Sequence, residues 1–361
     1  MIHVENEKLR EMISLVRRPD DAAAALAVKK WNSIAKPIHG MGKAEDMIVK
    51  IAGMTGSARV DLDKKLLIVM CADNGVVEEG VSQSGQDVTA LVADNFASGD
   101  TTACHIAKMV HADVWPVDIG VAADTKIENR KIARGTKNMA KGPAMTRGEA
   151  ESAILAGIDK VREAADAGYR IIATGEMGIG NTSTSSAIIS VLMSVPPEDV
   201  TGRGAGMDSA TLNHKVEVIR RAIAVNRPDP ADAADVLAKV GGFDIAGLAG
   251  VFLGGAVYRI PVVIDGLISS VAALIAARLC PDCVSYMLAS HVSKEPAARM
   301  VLDELGLDPV LTADMHLGEG TGALMLYPVL DIALEIYYHM LSFGDIELEA
   351  YVDYSETEGR M

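Results

Sequence analysis

Aromatic residues make up only 4% of the 361-residue sequence, and cysteine occurs four times. So few cysteines cannot staple a chain of this length, which argues against a disulfide framework and for a reducing compartment. Cys280 and Cys283 form a single C-x-x-C, Cys71 and Cys104 lie in apolar segments, and all four read as packing residues. Basic residues are scarce: 34 Lys and Arg against 49 Asp and Glu leave a formal charge of −15. That balance repels polyphosphate backbones and excludes nucleic acid as a partner. A membrane-spanning run of ~20 uncharged residues is also missing. The most apolar stretch, 245–264, is interrupted by Tyr258, Arg259 and Pro261 and predicts a buried helix followed by a strand. Residues 1–18 carry charges throughout and predict an amphipathic helix rather than a leader. These absences predict a cytoplasmic protein without membrane contact.

What is present is a 49% hydrophobic chain with 33 glycines, enough for a large core of Ala, Val, Ile, Leu and Met, and incompatible with disorder or a fibre. Apolar, β-rich runs at 66–73 (LLIVMCAD), 113–120 (DVWPVDIG), 169–176 (YRIIATGE) and 260–266 (IPVVIDG) end in small or acidic residues and lead into helical patterns. The alternation predicts an α/β fold, a mostly parallel Rossmann-like sheet flanked by helices. In such sheets ligands collect at the carboxyl ends of strands, so Asp73, Asp118, Glu176 and Asp265 are expected to face one crevice. Residues 1–31 and 324–361 lack strand signals and predict a small helical subdomain made from the two chain ends, beside an α/β catalytic domain at 32–323. The tail from 344 carries Asp345, Glu347, Glu349, Asp353, Glu356 and Glu358, a density typical of a solvated end.

Three glycine clusters carry the chemistry. Residues 175–186 (GEMGIGNTSTSS) follow a strand and precede an Ala/Ile-rich helix, so backbone N–H groups can meet an anion at a helix N-terminus. The segment is neither a Walker loop nor G-x-G-x-x-G, which favours a monophosphate over ATP or a dinucleotide. The simpler reading is a tight turn capped by Asn181 or Thr182. Residues 202–208 (GRGAGMD) lead to Lys215 on a helix, offering Arg203 and Lys215 as phosphate cations or as ordinary solvated charges. Residues 317–322 (LGEGTG) set Glu319 between glycines before an apolar helix expected over 323–341. Glu319 reads as a favourable helix-start acid or as a general base.

Together with KPIHGMGKAED (36–46), CADNGVVEEGVSQSGQDVTA (71–90), GGFDIAGLAG (241–250), PVVIDGLISSVAAL (261–274) and SHVSKEP (290–296), these segments resemble one family. It is the nicotinate-nucleotide:dimethylbenzimidazole phosphoribosyltransferases of cobamide lower-ligand activation. The resemblance covers most of the chain and implies transfer of 5-phosphoribosyl from nicotinate mononucleotide to an aromatic base. It implies Glu319 as the base, Glu176 as a second acid, and Gly178, Ile179, Gly180, Asn181, Thr182, Lys215, Gly204 and Asp265 around the nucleotide and its phosphate. Ser82, Gln86, Met177, Leu317 and Ser293 become the aromatic-acceptor pocket. Neither a metal nor a cofactor is called for. The family is dimeric, which implies a homodimer, or a heterodimer with a homologous subunit.

Three departures bear on the acceptor. Asn74 stands where related segments carry His, Gly85 precedes Gln86 where Pro is usual, and PIHGMG replaces PPGSLG, losing a hydroxyl at Gly40. They leave open a phenol- or cresol-activating subunit of the same family, or a non-catalytic nucleotide-binding subunit. An NAD-linked oxidoreductase has only the alternating elements in its favour, and fold alone does not carry function.

Overall fold

The computed structural model describes residues 4–204 and 208–352. Its centre is β1 (Lys65–Ala72), buried along its whole length. A parallel strand covered on both faces has no polar side, which is why 66–72 reads as an unbroken apolar run. Around it lie β2 (Ala112–Gly120), β3 (Glu128–Asn129), β4 (Ile171–Met177), β5 (Val262–Ile264) and β6 (Met287–Ala289), in the order β3-β2-β1-β4-β5-β6. Every neighbouring pair is parallel. From β1 the chain moves to one side for β2 and β3, then crosses to the other side for β4. The reversal opens a crevice at the carboxyl ends of β1 and β4.

Helices cover both faces. α1 (Glu7–Ser14), α2 (Asp21–Ser33) and α3 (Lys43–Thr55) precede the sheet, and α4 (Asp87–Ser98) and α5 (Thr102–Met109) join β1 to β2. α6 (Arg147–Asp166) leads into β4. Then α7 (Asn181–Leu192), α8 (Pro197–Val200), α9 (Ser209–Asn226), α10 (Ala233–Val240) and α11 (Phe243–Tyr258) bridge β4 to β5. α12 (Leu267–Leu279) reaches β6, a two-stranded pair β7 (His291–Val292) and β8 (Leu311–Thr312) flanks α13 (Ala298–Glu304), and α14 (Thr321–Leu324) and α15 (Tyr327–His339) follow. The stretch 245–264 is indeed a buried helix and a strand. α11 packs directly on α6 because both helices are bare where they cross: a Cβ on Gly157 would lie 2.0 Å from the Gly247 carbonyl, and one on Gly250 2.0 Å from that of Ile154.

The single helix expected over 323–341 is two helices. Pro328 has no N–H to donate to Leu324, so the first turn stops and a new helix starts at Tyr327. At the chain ends, the Trp31 ring stands 5.0 Å from that of Tyr337 on α15. Phe343 N donates to the Ser33 carbonyl at 2.9 Å beside them. α1 instead lies on α6 and α11, where the Glu151 carboxylate accepts from the N–H groups of Glu5 and Asn6. Of the acidic tail, Asp353, Glu356 and Glu358 lie outside the described residues, as do residues 205–207 of the second glycine cluster.

Candidate active site

A cavity of about 510 Å³ fills the crevice at the carboxyl ends of the strands. Its walls are the loop after β4 (176–182), the exit of β5 (265–269), Gly204, Ser82, the segment after β7 (His291, Ser293, Glu295) and the Glu319 loop (316–319 and Thr321).

One end holds an uncapped helix start with a buried cation behind it. β4 turns sharply into α7, with Gly180 at the N-cap in the left-handed region (φ +94°) and no side chain capping the helix. The start of the helix dipole therefore faces the cavity. Asn181 and Thr182 do not cap it, contrary to the simpler reading. The Asn181 amide turns inward, and Thr182 Oγ1 accepts from Lys215 Nζ at 2.8 Å. Lys215 is 0% exposed on α9, so it is not a solvated helix charge. Burial pulls its ammonium down from the ordinary 10.5 to about 8, partly opposed by Glu295. A buried cation with a lowered value is short of a counter-charge. Gly204 lies against the same pair, 3.5 Å from Thr182 Oγ1 at its would-be Cβ. Arg203 donates to Ser209 Oγ at 3.0 Å and does not line the cavity.

The other end is acidic. Glu176, at the end of β4, is 7% exposed and pushed up to about 8, first by burial and then by Asp244 and Asp265. Asn181 Nδ2 donates to its Oε2. Glu319 sits between Gly318 and Gly320 with φ +62°, a conformation that non-glycine residues rarely adopt. Two contacts hold it there. Its Oε2 accepts from Ala103 N at 3.3 Å, on the first turn of α5. Behind it Asp265 accepts from Ala323 N (2.9 Å) and Gly320 N (3.2 Å), pinning the loop to the end of β5. Half-burial raises the Glu319 carboxyl, Ala103 N–H lowers it, and Asp265 raises it.

Ser82, Met177, Leu317 and Ser293 line the cavity, with Leu317 largely exposed. Gln86 does not: its amide donates to the Asn74 carbonyl at 3.2 Å, tying the loop after β1 together. Asp73 and Asp118 are also turned away from the crevice. Asp73 accepts from Ala122 N at 2.8 Å, and Asp118 holds Lys131 Nζ, Thr125 Oγ1 and Val121 N. Both fix the long loop that leaves β2, so only Glu176 and Asp265 of the four strand-end acids reach the cavity. Sequence reasoning passed over His291 and Glu295, in SHVSKEP, and Asp244, in GGFDIAGLAG. Asp244 looks like an ordinary first-turn acid on a helix, which it also is. Burial pushes Asp265 up and His291 down, each opposed by the other.

Residues 16–347 match the Phosphoribosyltransferase family. The nicotinate-nucleotide–dimethylbenzimidazole phosphoribosyltransferase of Acetivibrio thermocellus is 45% identical over 348 residues, covering 96% of this chain and 98% of that one. The enzyme of the same name from Desulforudis audaxviator is 48% identical over 341 residues, covering 93% and 97%. The crystal structure of CobT from Thermus thermophilus superposes with a TM-score of 0.87 at 36% identity, covering 91% of this chain and all of that one. A parallel sheet in this order, an uncapped helix start backed by a buried lysine, and matches along nearly the whole length converge: the chain belongs to the phosphoribosyltransferase family.

Proposed function

We propose that the protein transfers the 5-phosphoribosyl group of nicotinate mononucleotide to 5,6-dimethylbenzimidazole or a related aromatic base, releasing nicotinate and α-ribazole 5′-phosphate. The observation that carries this reading is one cavity with an uncapped helix start at one end, Lys215 buried directly behind its Thr182, and Glu319 at the other end. The names of relatives matched end to end favour a benzimidazole over a phenolic acceptor or a non-catalytic role.

The phosphate rests on the first turn of α7, where Lys215 supplies the missing charge through its contact with Thr182. The nicotinate ring of the donor is a pyridinium, so it departs as a neutral nitrogen without protonation. The acceptor is a weak nucleophile until its N–H proton is removed. Glu319, raised by partial burial, takes that proton while the other ring nitrogen forms the bond to ribose C1. The C1–pyridinium bond breaks on the opposite face, which inverts β to α, and the proton leaves with Glu319. Anchoring the phosphate supplies most of the positioning. Glu176, 7% exposed, lines the acceptor side with Ser82, Met177, Leu317 and Ser293. Asp265 acts through the Glu319 loop rather than on the nucleotide.

In this reading α2 and α15, from the two chain ends, form a small helical subdomain held by the Trp31–Tyr337 contact, which α1 does not join. Exposed apolar side chains on it, among them Leu26, Ile332 and Leu341, support a homodimer, which sedimentation velocity tests. No helix among the described residues is long and apolar enough to cross a membrane, and the four cysteines are free, in keeping with a cytoplasmic enzyme.

Mass spectrometry of the products from nicotinate mononucleotide with benzimidazoles, adenine, phenol and p-cresol tests the reading. An N-linked ribazole phosphate is expected. An O-linked product, or none from the purified chain, refutes it.

A further inference from the structure

Next to Glu176 lies a second buried carboxyl that no step above uses. Asp244, in the first turn of α11, is 0% exposed and does not line the cavity. Its Oδ2 accepts from Asn181 Nδ2 at 3.1 Å, the same nitrogen that donates to Glu176. Its Oδ1 has no hydrogen-bond partner. Asn74, just past β1 and equally buried, has the same defect: Nδ2 donates to the Ile179 carbonyl at 3.5 Å, while Oδ1 has no partner. The two orphaned oxygens border the same small gap, each 2.4 Å from the point where a Cβ on Gly242 would sit and so at most twice that distance apart. Two acceptors buried side by side without a donor are a costly arrangement, and one proton between them resolves it.

We propose that Asp244 is held as the neutral acid, its Oδ1–H donating to Asn74 Oδ1, and that it is a positioning residue for Glu176 through Asn181. The row Asn74–Asp244–Asn181–Glu176 then ties the exit of β1, the start of α11, the first turn of α7 and the end of β4 together. The titratable groups facing Asp244 are Cys71 and Asp73 from β1 and its exit, and Glu176 from β4. None is a cation, so nothing among them draws the proton away. Burial pushes the Asp244 carboxyl up to about 7, opposed first by the Asn181 amide and then by the backbone N–H groups of Ile245 and Asp244, which lie outside hydrogen-bond geometry, and reinforced by Asp73. Because both carboxyls share one amide donor, the proton states of Asp244 and Glu176 belong to the pair. An ionised Asp244 makes Glu176 hold its own proton more tightly.

The test is Asp244→Asn, an amide of the same shape whose N–H still donates to Asn74. The unfolded chain gives up the Asp244 proton near 3.8, the folded one near 7, so this group destabilises the wild type as pH rises between those values. The amide has no such proton. Its melting temperature relative to wild type is therefore expected to rise by several degrees from about pH 5 to about pH 7. Asp244→Ala, which leaves Asn74 Oδ1 orphaned, is expected to be destabilised throughout. In the Glu176→Gln background, infrared spectra near pH 6 should show the C=O band of a buried carboxylic acid that Asp244→Asn removes. A pH-independent difference between Asp244→Asn and wild type, or no such band, overturns the proposal. These measurements need no substrate. A further arm rests on the phosphoribosyl-transfer reading: Asp244→Ala, which cuts the row, should lower kcat with KM within about twofold, and Asp244→Asn, which keeps it, should restore most of the loss. An undiminished kcat in Asp244→Ala, or no rescue by Asp244→Asn, would refute the positioning role, whereas a wild type without turnover counts against the transfer reading alone.

Discussion

Replacing Lys215 by methionine should make the free protein more stable and the enzyme worse. The ammonium is fully buried, with Thr182 Oγ1 at 2.8 Å and the Gly202 carbonyl at 3.4 Å as partners. Its drop from 10.5 to about 8 corresponds to about 3 kcal/mol, at roughly 1.4 kcal/mol per pH unit. The sign is that of a cation whose folded value is depressed. The penalty is present in full below pH 8 and fades as pH rises from about 8 toward 10.5, where the unfolded chain also loses its proton. Methionine has a similar unbranched reach and no charge to desolvate. It gives up the Thr182 hydrogen bond, worth about 1 kcal/mol, so the net gain near pH 7 is about 2 kcal/mol, or roughly 4 °C in Tm. With a phosphate on α7 the balance inverts, because the buried cation finds its counter-charge. If binding restores the ordinary value, the coupling is the same ~3 kcal/mol, roughly 10²-fold in donor affinity.

Thermal melts with and without nicotinate mononucleotide, alongside steady-state kinetics, read both effects. The wild type should melt lower when free and gain more from the ligand, while Lys215→Met should melt higher, gain little and show KM raised toward 10²-fold. A free Lys215→Met protein less stable than wild type, with KM unchanged, would show that Lys215 is a structural tether to Thr182 and defeat the argument.

The other expectations concern the acidic end and the loop. Glu319→Gln should lower kcat by ~10²- to 10⁴-fold while the donor still shifts the melting temperature; a loss below about threefold removes Glu319 from the role of base. The pH profile of kcat/KM should rise through a midpoint above the ordinary 4.5 as Glu319 ionises, and fall again near 8 as Lys215 discharges; activity undiminished well above that value contradicts the second limb. Asp265→Asn places an NH₂ against Gly320 N–H or Ala323 N–H and should reduce kcat ~10- to 100-fold with little change in KM; an equal rise in KM would make Asp265 a nucleotide ligand. Gly178→Ala sets a Cβ 2.4 Å from the Ala72 carbonyl and 2.7 Å from Asp244 Oδ2, so a loss of about 1–3 kcal/mol on denaturant melts is expected, and a neutral substitution would mean that the loop after β4 is freer than drawn.

How much of this was legible in the sequence depended on whether a signal is local. β1, β2 and β4 announce themselves because central parallel strands must be apolar on both faces, and the matching runs at 66–73, 113–120 and 169–176 are long enough to stand out. β3, β7 and β8 span two residues each and carry no pattern. Glu319 and the 178–182 turn were found because glycines mark close backbone approach. The burial of Lys215 was not, since one lysine in the pattern of α9 looks like any solvated charge. Acids at strand ends were read as equivalent, yet the long loop after β2 claims Asp73 and Asp118 for itself. Which acid meets the cavity is decided by loop paths that no local pattern encodes.

Several departures from good folding practice gather around the cavity. Lys215 is buried below its ordinary value, Glu176 is held up near 8, Asp244 and Asn74 present orphaned oxygens, and Glu319 sits in a left-handed conformation. Each lies on the cavity or one residue behind it. Elsewhere several buried charges are paired: Lys65 with Asp331, Lys160 with Glu128 and Glu163, Asp118 with Lys131. In the proposed transfer, the groups left unsatisfied around the cavity are those that a phosphate, a base and a proton would meet. The strained Glu319 is the clearest instance. Glycine at that position would relax the backbone and the carboxylate repulsion with Asp265 at once. In the proposed transfer, a glutamate kept there against both effects is accounted for by its carboxylate acting as the base in the cavity.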